Sequence, residues 1–292
     1  MDGANATTAR AILDLEQVTD RRFRSTYSQN NYQDAIFGGQ PVAQALAAAR
    51  RTVKEWLPHT CTGYFLKPGA TAEPVDYEVE SVRNGRRFAA RRVLATQGGK
   101  PIFDMLCSFH DIEPGFAHQR GGVADVPLPE ELPPLLEFVR AHAAQLPKLL
   151  VDRHELFHAS FPVELRLVDT DRVFFGKPDL LPRSYWLRMA SAAGIDNPSD
   201  HRCLLAFMSD YWLASAAGAP HRSPATAGND LSVASLNHSL WFHGPVRADE
   251  WLLFRTESTW AGEGRGMARG DVYDRRGRMV ASVAQEVSMR PR

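Results

Sequence analysis

The chain contains two copies of one sequence pattern, and this repeat restricts the possible folds more than any single motif does. YFLKP at 64–68 aligns with WFHGP at 241–245, which gives an offset of 242 − 65 = 177. After one inserted residue the offset becomes 178, and residues 88–109 then align with residues 266–287. The chain is therefore predicted to contain two units with the same fold.

Both copies have the pattern of strands joined by short turns. Apolar residues alternate with polar ones, and a period of two is typical of strands that bury one face. Glycine interrupts the pattern at GGK in the first copy and at RGR in the second, which indicates turns. The alignment places Arg91 on Arg269 and Gly99 on Gly277. Each copy is predicted to form an antiparallel meander.

An apolar helix candidate precedes each meander, over residues 36–53 in the first copy and 204–217 in the second. A helix that is apolar around its whole circumference has to be enclosed on most sides, and a curled antiparallel sheet can enclose one. The sequence therefore predicts an α+β fold in which two antiparallel sheets each wrap around a central helix. This arrangement is a double hotdog.

The segment between the two copies is rich in proline, glycine and charge, with a short helical pattern after Leu132. Such a composition is typical of a connecting segment. We therefore expect an N-terminal hotdog domain over residues 1–117 and a partly helical linker over 118–154. The C-terminal hotdog domain is expected over 155–292.

Composition argues against several classes of function. Lys+Arg and Asp+Glu number 34 each, so no global field favours nucleic acid or an anionic membrane. The 3 cysteines have no metal-binding spacing, which argues against a zinc site or a disulfide framework and favours a reducing compartment. No apolar run is long enough for a membrane span, and no secretory leader is recognisable. We expect a cytoplasmic protein.

Several stretches resemble the acyl-CoA thioesterase II family, in order from about Phe23 to Met289. They are FGGQPVAQAL, YFLKPG, GRRFAARRV, GKPIFDMLCSF, EPGFAHQ, SLNHSLWFHGP and EWLLF. The resemblance implies that the protein binds acyl-CoA and hydrolyses its thioester to free carboxylic acid and CoA. It also implies a role in fatty acid and lipid metabolism and association into a homodimer or larger homo-oligomer. No metal or redox cofactor is implied.

The resemblance also implies the catalytic residues. In the family, the attacking water is positioned by an Asp in the second central helix, a Thr or Ser on the following strand and a Gln on the last strand. Matched motif by motif, these residues are Asp210 in MSDYWL, Ser235 in ASLNHSLWFH and Gln285 in VAQEV. Asn237 stands where an Asp is common in relatives.

Comparison of the two copies supports this assignment from the residues themselves. Gln285 is the polar exception on an apolar face of the last strand, and the first copy has Cys107 at the equivalent position. The alignment places Pro58 on Ser235. The first copy therefore lacks the catalytic set, and we expect one active site per chain.

Asp210 lies within an apolar helix candidate, where an unpaired carboxylate is costly to bury, so partners or a function must hold it. A structural hydrogen-bond hub at Asp210 and a satisfied core amide at Gln285 remain open alternatives. In the catalytic interpretation, Asp210 is a general base on a water that Ser235 and Gln285 orient. Backbone N–H groups near the start of a central helix would stabilise the oxyanion.

Other chemistries fit the spacing less well. No GxSxG motif is present, and Ser235 and His238 would face opposite sides of a regular strand, which argues against a serine hydrolase. His238 and His243 are expected to be structural, with backbone partners. A basic cluster predicts a solvated hairpin or, alternatively, a contact for CoA phosphates. Its members are Arg83, Arg86, Arg87, Arg91 and Arg92.

Two alternative functions remain. Hotdog enoyl-CoA hydratases or dehydratases carry an Asp and a His five residues apart, and Asp196 and His201 have this spacing in a different local context. The simpler interpretation is a helix start with Ser199 or Asp200 as N-cap. A non-catalytic acyl-CoA-binding protein is the other alternative, and it would require Asp210 to be neutralised internally and to point away from any cleft.

Overall fold

In the computed structural model the described residues are 3–31, 34–123, 125–222 and 231–291. Their helices are α1 (Gly3–Leu13), α2 (Gly39–Arg50), α3 (Leu135–Ala141), α4 (Lys148–His158), α5 (Thr170–Phe175), α6 (Pro198–Ser209) and α7 (Leu213–Gly218). Their strands are β1 (Leu15–Thr19), β2 (Arg22–Ser25), β3 (Leu57–Phe65), β4 (Asp76–Asn84), β5 (Phe88–Gln97), β6 (Lys100–His110), β7 (Glu164–Leu167), β8 (Arg183–Arg188), β9 (Leu231–Ser235), β10 (Asn237–Phe242), β11 (Leu252–Gly262), β12 (Arg265–Tyr273) and β13 (Met279–Pro291).

The strands of the two copies join in one antiparallel sheet. Its order is β1-β2-β4-β5-β6-β3-β10-β13-β12-β11-β8-β7, and β9 pairs with β13. The first six strands in this order belong to the first copy and the next six to the second. Each copy therefore contributes one antiparallel half, and the two halves meet edge to edge in a single sheet where β3 pairs with β10.

The predicted central helices are enclosed as their composition requires. α2 packs against β2, β3, β4, β5 and β6, and α7 packs against β9, β11, β12 and β13. α6 packs side by side with α2, so helices from the two copies meet in the middle of the molecule. The contact is close because Gly39 has no side chain: a Cβ there would lie 2.2 Å from the carbonyl oxygen of Phe207.

The second central helix begins earlier than predicted. α6 starts at Pro198, and the side chain of Asn197 accepts a hydrogen bond from the N–H of Ser199 at 2.8 Å. Asn197 is thus the N-cap, and the assignment of this role to Ser199 or Asp200 was wrong. Asp200 instead lies in the first turn and forms an ion pair with Arg50 at the end of α2.

The second helix is also interrupted, whereas one continuous helix over 204–217 was predicted. α6 ends at Ser209, Asp210 is its C-cap, and α7 begins at Leu213. Between them Trp212 adopts a left-handed conformation with φ of 73°, which is uncommon for a residue with a side chain. The break places Asp210 at a helix end instead of in the middle of a helix.

The strand register corrects one detail of the repeat. Cys107 pairs with Arg91 in the first copy, and Gln285 pairs with Ala268 in the second. Arg91 therefore corresponds to Ala268, at an offset of 268 − 91 = 177, and not to Arg269. The offset of 285 − 107 = 178 applies only to the last strand, so the inserted residue lies in the turn before it.

Arg91 differs from the solvated role predicted for its cluster. It is 3% exposed, and its guanidinium donates to Oγ1 of Thr52 and Oδ1 of Asn84. The side chain of Arg91 lies on the buried face of β5. There its guanidinium group donates hydrogen bonds to these neutral acceptors. Arg92, on the opposite face, is exposed and pairs with Asp104.

The described residues of the connection between the copies form two α-helices, α3 and α4. α3 lies within the predicted linker of 118–154, and α4 continues beyond it to His158. The division into domains at 117 and 154 stays a prediction. Among the described residues, no helix has the length and apolar character needed to cross a membrane.

Candidate active site

The three residues predicted to be catalytic lie together. Asp210 follows α6, Ser235 ends β9, and Gln285 lies in the middle of β13. Nε2 of Gln285 donates to Oδ1 of Asp210 at 3.0 Å and also donates to Oγ of Ser235. The pairing of β9 with β13 brings the serine next to the amide, and the hydrogen bond to Asp210 brings the end of α6 to the same amide. One amide therefore connects the carboxylate and the hydroxyl.

The carboxylate of Asp210 is nearly buried but borders a cavity. Its side chain is 7% exposed and lines a cavity of about 380 Å³. Burial raises the pKa of Asp210, while His238, the amide of Gln285 and a hydrogen bond from the backbone of Gly39 oppose this shift. No lysine or arginine in the described ranges forms an ion pair with Asp210. A carboxylate with a raised pKa and no cationic partner is suited to accept a proton.

The residues that line the cavity are both apolar and cationic. The apolar ones include Leu150, Phe157 and Phe174. The cationic ones include Arg153 and Lys177. The cavity can therefore take an apolar group beside an anionic one. The basic cluster between residues 83 and 92 does not contribute to this lining.

The start of α2 brings backbone N–H groups to the carboxylate. Gly38 is so close to Asp210 that a Cβ on it would lie 2.7 Å from Oδ2. The N–H groups of a first helical turn have no partners within the helix, and the helix dipole favours negative charge there. Helix α2 belongs to the first copy and Asp210 to the second, so the site is built from both copies.

His238 is a member of the site that the sequence interpretation missed. Its ring is 0% exposed, with Nδ1 3.3 Å from Oε1 of Gln285 and Nε2 2.8 Å from Oγ of Ser209. Nδ1 also lies 4.0 Å from Oδ1 of Asp210. The expectation of backbone partners was therefore wrong, and it was also wrong for His243, whose Nε2 lies 3.0 Å from Oγ of Ser282.

An irregularity at Leu236 explains why Ser235 and His238 do not face opposite sides of a strand, as the sequence had predicted. β9 ends at Ser235 and β10 begins at Asn237, so the alternation of faces does not continue across the junction. Ser235 and His238 consequently both face Gln285. Asn237 is directed to the strand backbone, where its Oδ1 accepts from the N–H of residue 286 at 3.0 Å.

The repeat contained a signal for His238. At an offset of 238 − 61 = 177 it corresponds to Cys61, and Cys61 lies opposite Cys107 in the first copy. Both cysteines are buried free thiols. The second copy replaces this pair with His238 and Gln285, which are likewise neighbours across two strands. The two copies thus differ at one buried pair, which is weakly polar in the first copy and strongly polar in the second. This difference indicates that the site lies in the second copy.

The residues that resembled a hydratase pair are not at the site. Asp196 is exposed. His201 is 1% exposed, with Nε2 2.7 Å from the carbonyl oxygen of Ile195 and Nδ1 accepting from the N–H of Ala248 at 3.0 Å. Both ring nitrogens are therefore occupied by backbone groups, and the ring holds the entry to α6 in place.

Comparison with known families agrees with the fold and the motifs. Residues 27–110 match the acyl-CoA thioesterase N-terminal domain, and residues 129–289 match the acyl-CoA thioesterase C-terminal domain. Acyl-coenzyme A thioesterase 8 of Rattus norvegicus is 33% identical over 287 residues, covering 94% of this chain and 87% of the rat protein. Acyl-CoA thioesterase 2 of Haemophilus influenzae is 34% identical over 276 residues, covering 94% of both chains.

Solved structures show the same architecture. An acyl-CoA thioesterase II, TesB2, from Mycobacterium marinum has a TM-score of 0.77 at 33% identity and covers 98% of both chains. A hot dog fold protein from Alicyclobacillus acidocaldarius has a TM-score of 0.73 at 18% identity, again over 98% of both chains. The predicted double hotdog fold is confirmed.

Proposed function

Because this chain belongs to the acyl-CoA thioesterase family and is thus a thioester hydrolase, we propose that Asp210, Ser235 and Gln285 carry out its reaction. The reaction converts acyl-CoA and water to a free carboxylic acid and CoA. One observation carries the proposal: the Gln285 amide donates to both Asp210 and Ser235 beside a cavity that the Asp210 carboxylate lines.

The chemistry follows from the arrangement. A water held by Asp210, Ser235 and Gln285 attacks the thioester carbonyl carbon, and Asp210 takes a proton from it during the attack. The N–H of Gly39 donates to Asp210, so the start of α2 stabilises the oxyanion of the tetrahedral intermediate through the positive end of its helix dipole. The C–S bond then breaks, and the proton on Asp210 returns to the thiolate of CoA. The carboxylate is regenerated without a covalent enzyme intermediate.

The two alternative functions have less support. A binding protein without activity was expected to neutralise Asp210 and turn it away from any cleft, whereas this carboxylate borders the cavity. A hydratase would need Asp196 and His201 near the substrate, whereas Asp196 is exposed and His201 bonds to backbone groups. Hydrolysis is therefore the function that the geometry favours.

The test is replacement of Asp210 by Asn, which preserves size and hydrogen-bonding capacity but removes the base. We expect kcat for thiol release from saturated acyl-CoAs to fall on the order of a hundredfold or more, with KM little changed. Acyl-CoAs of several chain lengths serve as substrates, and circular dichroism checks the fold. A folded Asp210→Asn variant that hydrolyses acyl-CoA at the parent rate would show that the carboxylate is structural.

A parallel assay separates hydrolysis from hydration. Enoyl-CoA is incubated with the parent protein, and loss of the conjugated double bond is followed together with free thiol. Thiol release from a saturated substrate supports the proposal. Hydration of enoyl-CoA without thiol release from any substrate would instead favour the hydratase alternative.

A further inference from the structure

His238 lies at the centre of the site, yet it is not one of the three proposed catalytic residues. Its ring is fully buried, and its two nitrogens face Oε1 of Gln285 at 3.3 Å and Oγ of Ser209 at 2.8 Å. In the family reaction as proposed above, this side chain has no assigned part. The direction of each of its hydrogen bonds follows from what its partners can donate.

The orientation of the Gln285 amide is determined by Asp210. Nε2 of Gln285 lies 3.0 Å from Oδ1 of the carboxylate. If the amide were reversed, its oxygen would face the carboxylate with no proton between two acceptors. The amide oxygen therefore points the other way, towards His238.

This orientation requires a proton on Nδ1 of His238. Oε1 of Gln285 is an acceptor only, so the ring nitrogen facing it must donate. Burial lowers the pKa of His238, which favours the neutral ring, and its Nε2 is then an acceptor. The hydroxyl of Ser209 supplies the proton for Nε2.

A competing acceptor for the Ser209 proton does not change this result. The hydroxyl also lies 3.0 Å from the carbonyl oxygen of Ala206 and has only one proton. If that proton went to Ala206, a neutral His238 would donate from Nε2. Its bare Nδ1 would then face the oxygen of Gln285, which is unfavourable in a buried site. Only the chain from Ser209 through His238 to Gln285 leaves every acceptor of a neutral ring satisfied.

We infer that His238 is a positioning residue whose Nδ1–H holds the Gln285 amide with its nitrogen towards Asp210 and Ser235. The inference rests on the proposed function, because this orientation affects turnover only if Gln285 takes part in positioning the water. The hydrogen bonds then run in one direction, from Ser209 to His238 to Gln285 and finally to the carboxylate. Every donor in the chain supports the ionised form of Asp210.

Two substitutions of similar polarity separate this role from simple core packing. The amide nitrogen of His238→Asn lies near the position of Nδ1 and can donate to Oε1 of Gln285. The longer side chain of His238→Gln places its amide near the position of Nε2, next to Ser209, and leaves Oε1 without a donor. We expect His238→Gln to lower kcat about tenfold below His238→Asn, with KM similar in both. Equal kcat values, or a higher value for His238→Gln, would overturn the inference.

The same pair in a Gln285→Ala background shows whether His238 acts through the amide. Without Oε1 to hold, His238→Asn and His238→Gln should have the same kcat. A difference between them that persists in this background would overturn the inference. If Gln285→Ala alone kept the parent kcat, the proposed catalytic role of Gln285 would fail. If Gln285→Ala lowered kcat but the two His238 variants still differed in this background, only the inference about His238 would fail. Circular dichroism and thermal melting check the fold of each variant.

A measurement on the unmodified ring does not depend on any His238 variant folding. Nitrogen-15 NMR of histidine-labelled protein distinguishes a protonated from a bare Nδ1, and the resonances of His238 are those that move most in Ser209→Ala. We expect Nδ1 to carry the proton at neutral pH. A bare Nδ1 with the proton on Nε2 would overturn the inference.

Discussion

Asp210 is held at the boundary between core and cavity, and its titration is coupled to folding. Burial raises the pKa of the folded carboxyl above its value in the unfolded chain, which is about 3.9. Its contribution to the free energy of unfolding is therefore complete below the unfolded pKa and is lost as the pH rises through the folded pKa. The residue that the proposed mechanism needs as a carboxylate thus destabilises the fold when it is ionised.

The stability of Asp210→Asn should consequently differ from that of the parent in a pH-dependent way. The Asn side chain stays neutral, so the melting temperature of the variant minus that of the parent should increase as the pH rises from about 4 to 7. Thermal melts of both proteins over this range measure the difference. A difference that is constant, or that shrinks with rising pH, would contradict a raised pKa for Asp210.

The equivalent residues of the two copies provide a second test at the residue scale. Gln285→Ala should reduce kcat by a smaller factor than Asp210→Asn, on the order of tenfold, because in the proposed mechanism Gln285 orients the water without accepting its proton. Cys107→Ala is the matched control: it creates a small cavity in the core of the first copy and should leave kcat nearly unchanged. Steady-state kinetics on one acyl-CoA gives all three values, and a loss for Cys107→Ala as large as that for Gln285→Ala would contradict a single active site in the second copy.

At the scale of elements, the start of α2 has two adjacent glycines with different roles. A Cβ on Gly39 would meet the carbonyl oxygen of Phe207 in α6, whereas a Cβ on Gly38 would meet Oδ2 of Asp210. Gly38 has ordinary helical angles, with φ of −60° and ψ of −31°, so alanine is compatible with its backbone. The first glycine therefore leaves room for the carboxylate, and the second allows the two helices to pack.

The two alanine variants should separate activity from stability. Gly38→Ala should lower kcat on the order of tenfold or more by displacing the carboxylate, with little change in the free energy of unfolding. Gly39→Ala should lower the free energy of unfolding by about 1–3 kcal/mol or more, because backbone atoms of α6 cannot move aside without shifting the helix. Urea denaturation and kinetics on both variants check this. A Gly38→Ala protein with parent kcat would show that the helix start is not in contact with the reacting groups.

Helices and strands were predicted correctly where a hydrophobic pattern determined the local structure. They were predicted wrongly where tertiary packing determined it. The meanders followed from alternation, and the burial of α2 followed from its apolar composition. The break at Trp212 did not, because a left-handed residue with a large side chain is unfavourable locally and persists only when its surroundings hold it. The junction at Leu236 is similar: its N–H bonds to β13 while its carbonyl accepts from β3.

At the scale of the whole molecule, the sheet is continuous across the two copies, and the assembly of chains stays a prediction. We expect a homodimer or larger homo-oligomer. Apolar side chains at the surface are consistent with further association: Phe116 is fully exposed, and Ile112 is 69% exposed. Light scattering at micromolar concentration gives the mass directly. A strict monomer of 32.5 kDa would contradict the expectation. The cytoplasmic location and the role in lipid metabolism also stay predictions.

By itself, the sequence determined the repeat, the α+β class with two wrapped helices, and the identity of three residues that meet at the site. The repeat and the fold class depend on spacing along the chain and on which residues need burial, and both are local properties. The three residues were identified through the motifs that the chain shares with the acyl-CoA thioesterase II family. Tertiary structure alone decided that α2 of the first copy supplies the glycines beside Asp210, and that His238 turns towards Gln285. Both outcomes depend on interruptions of regular structure, at Trp212 and Leu236. Such interruptions are stabilised by distant parts of the chain, so no periodic pattern in the sequence reveals them.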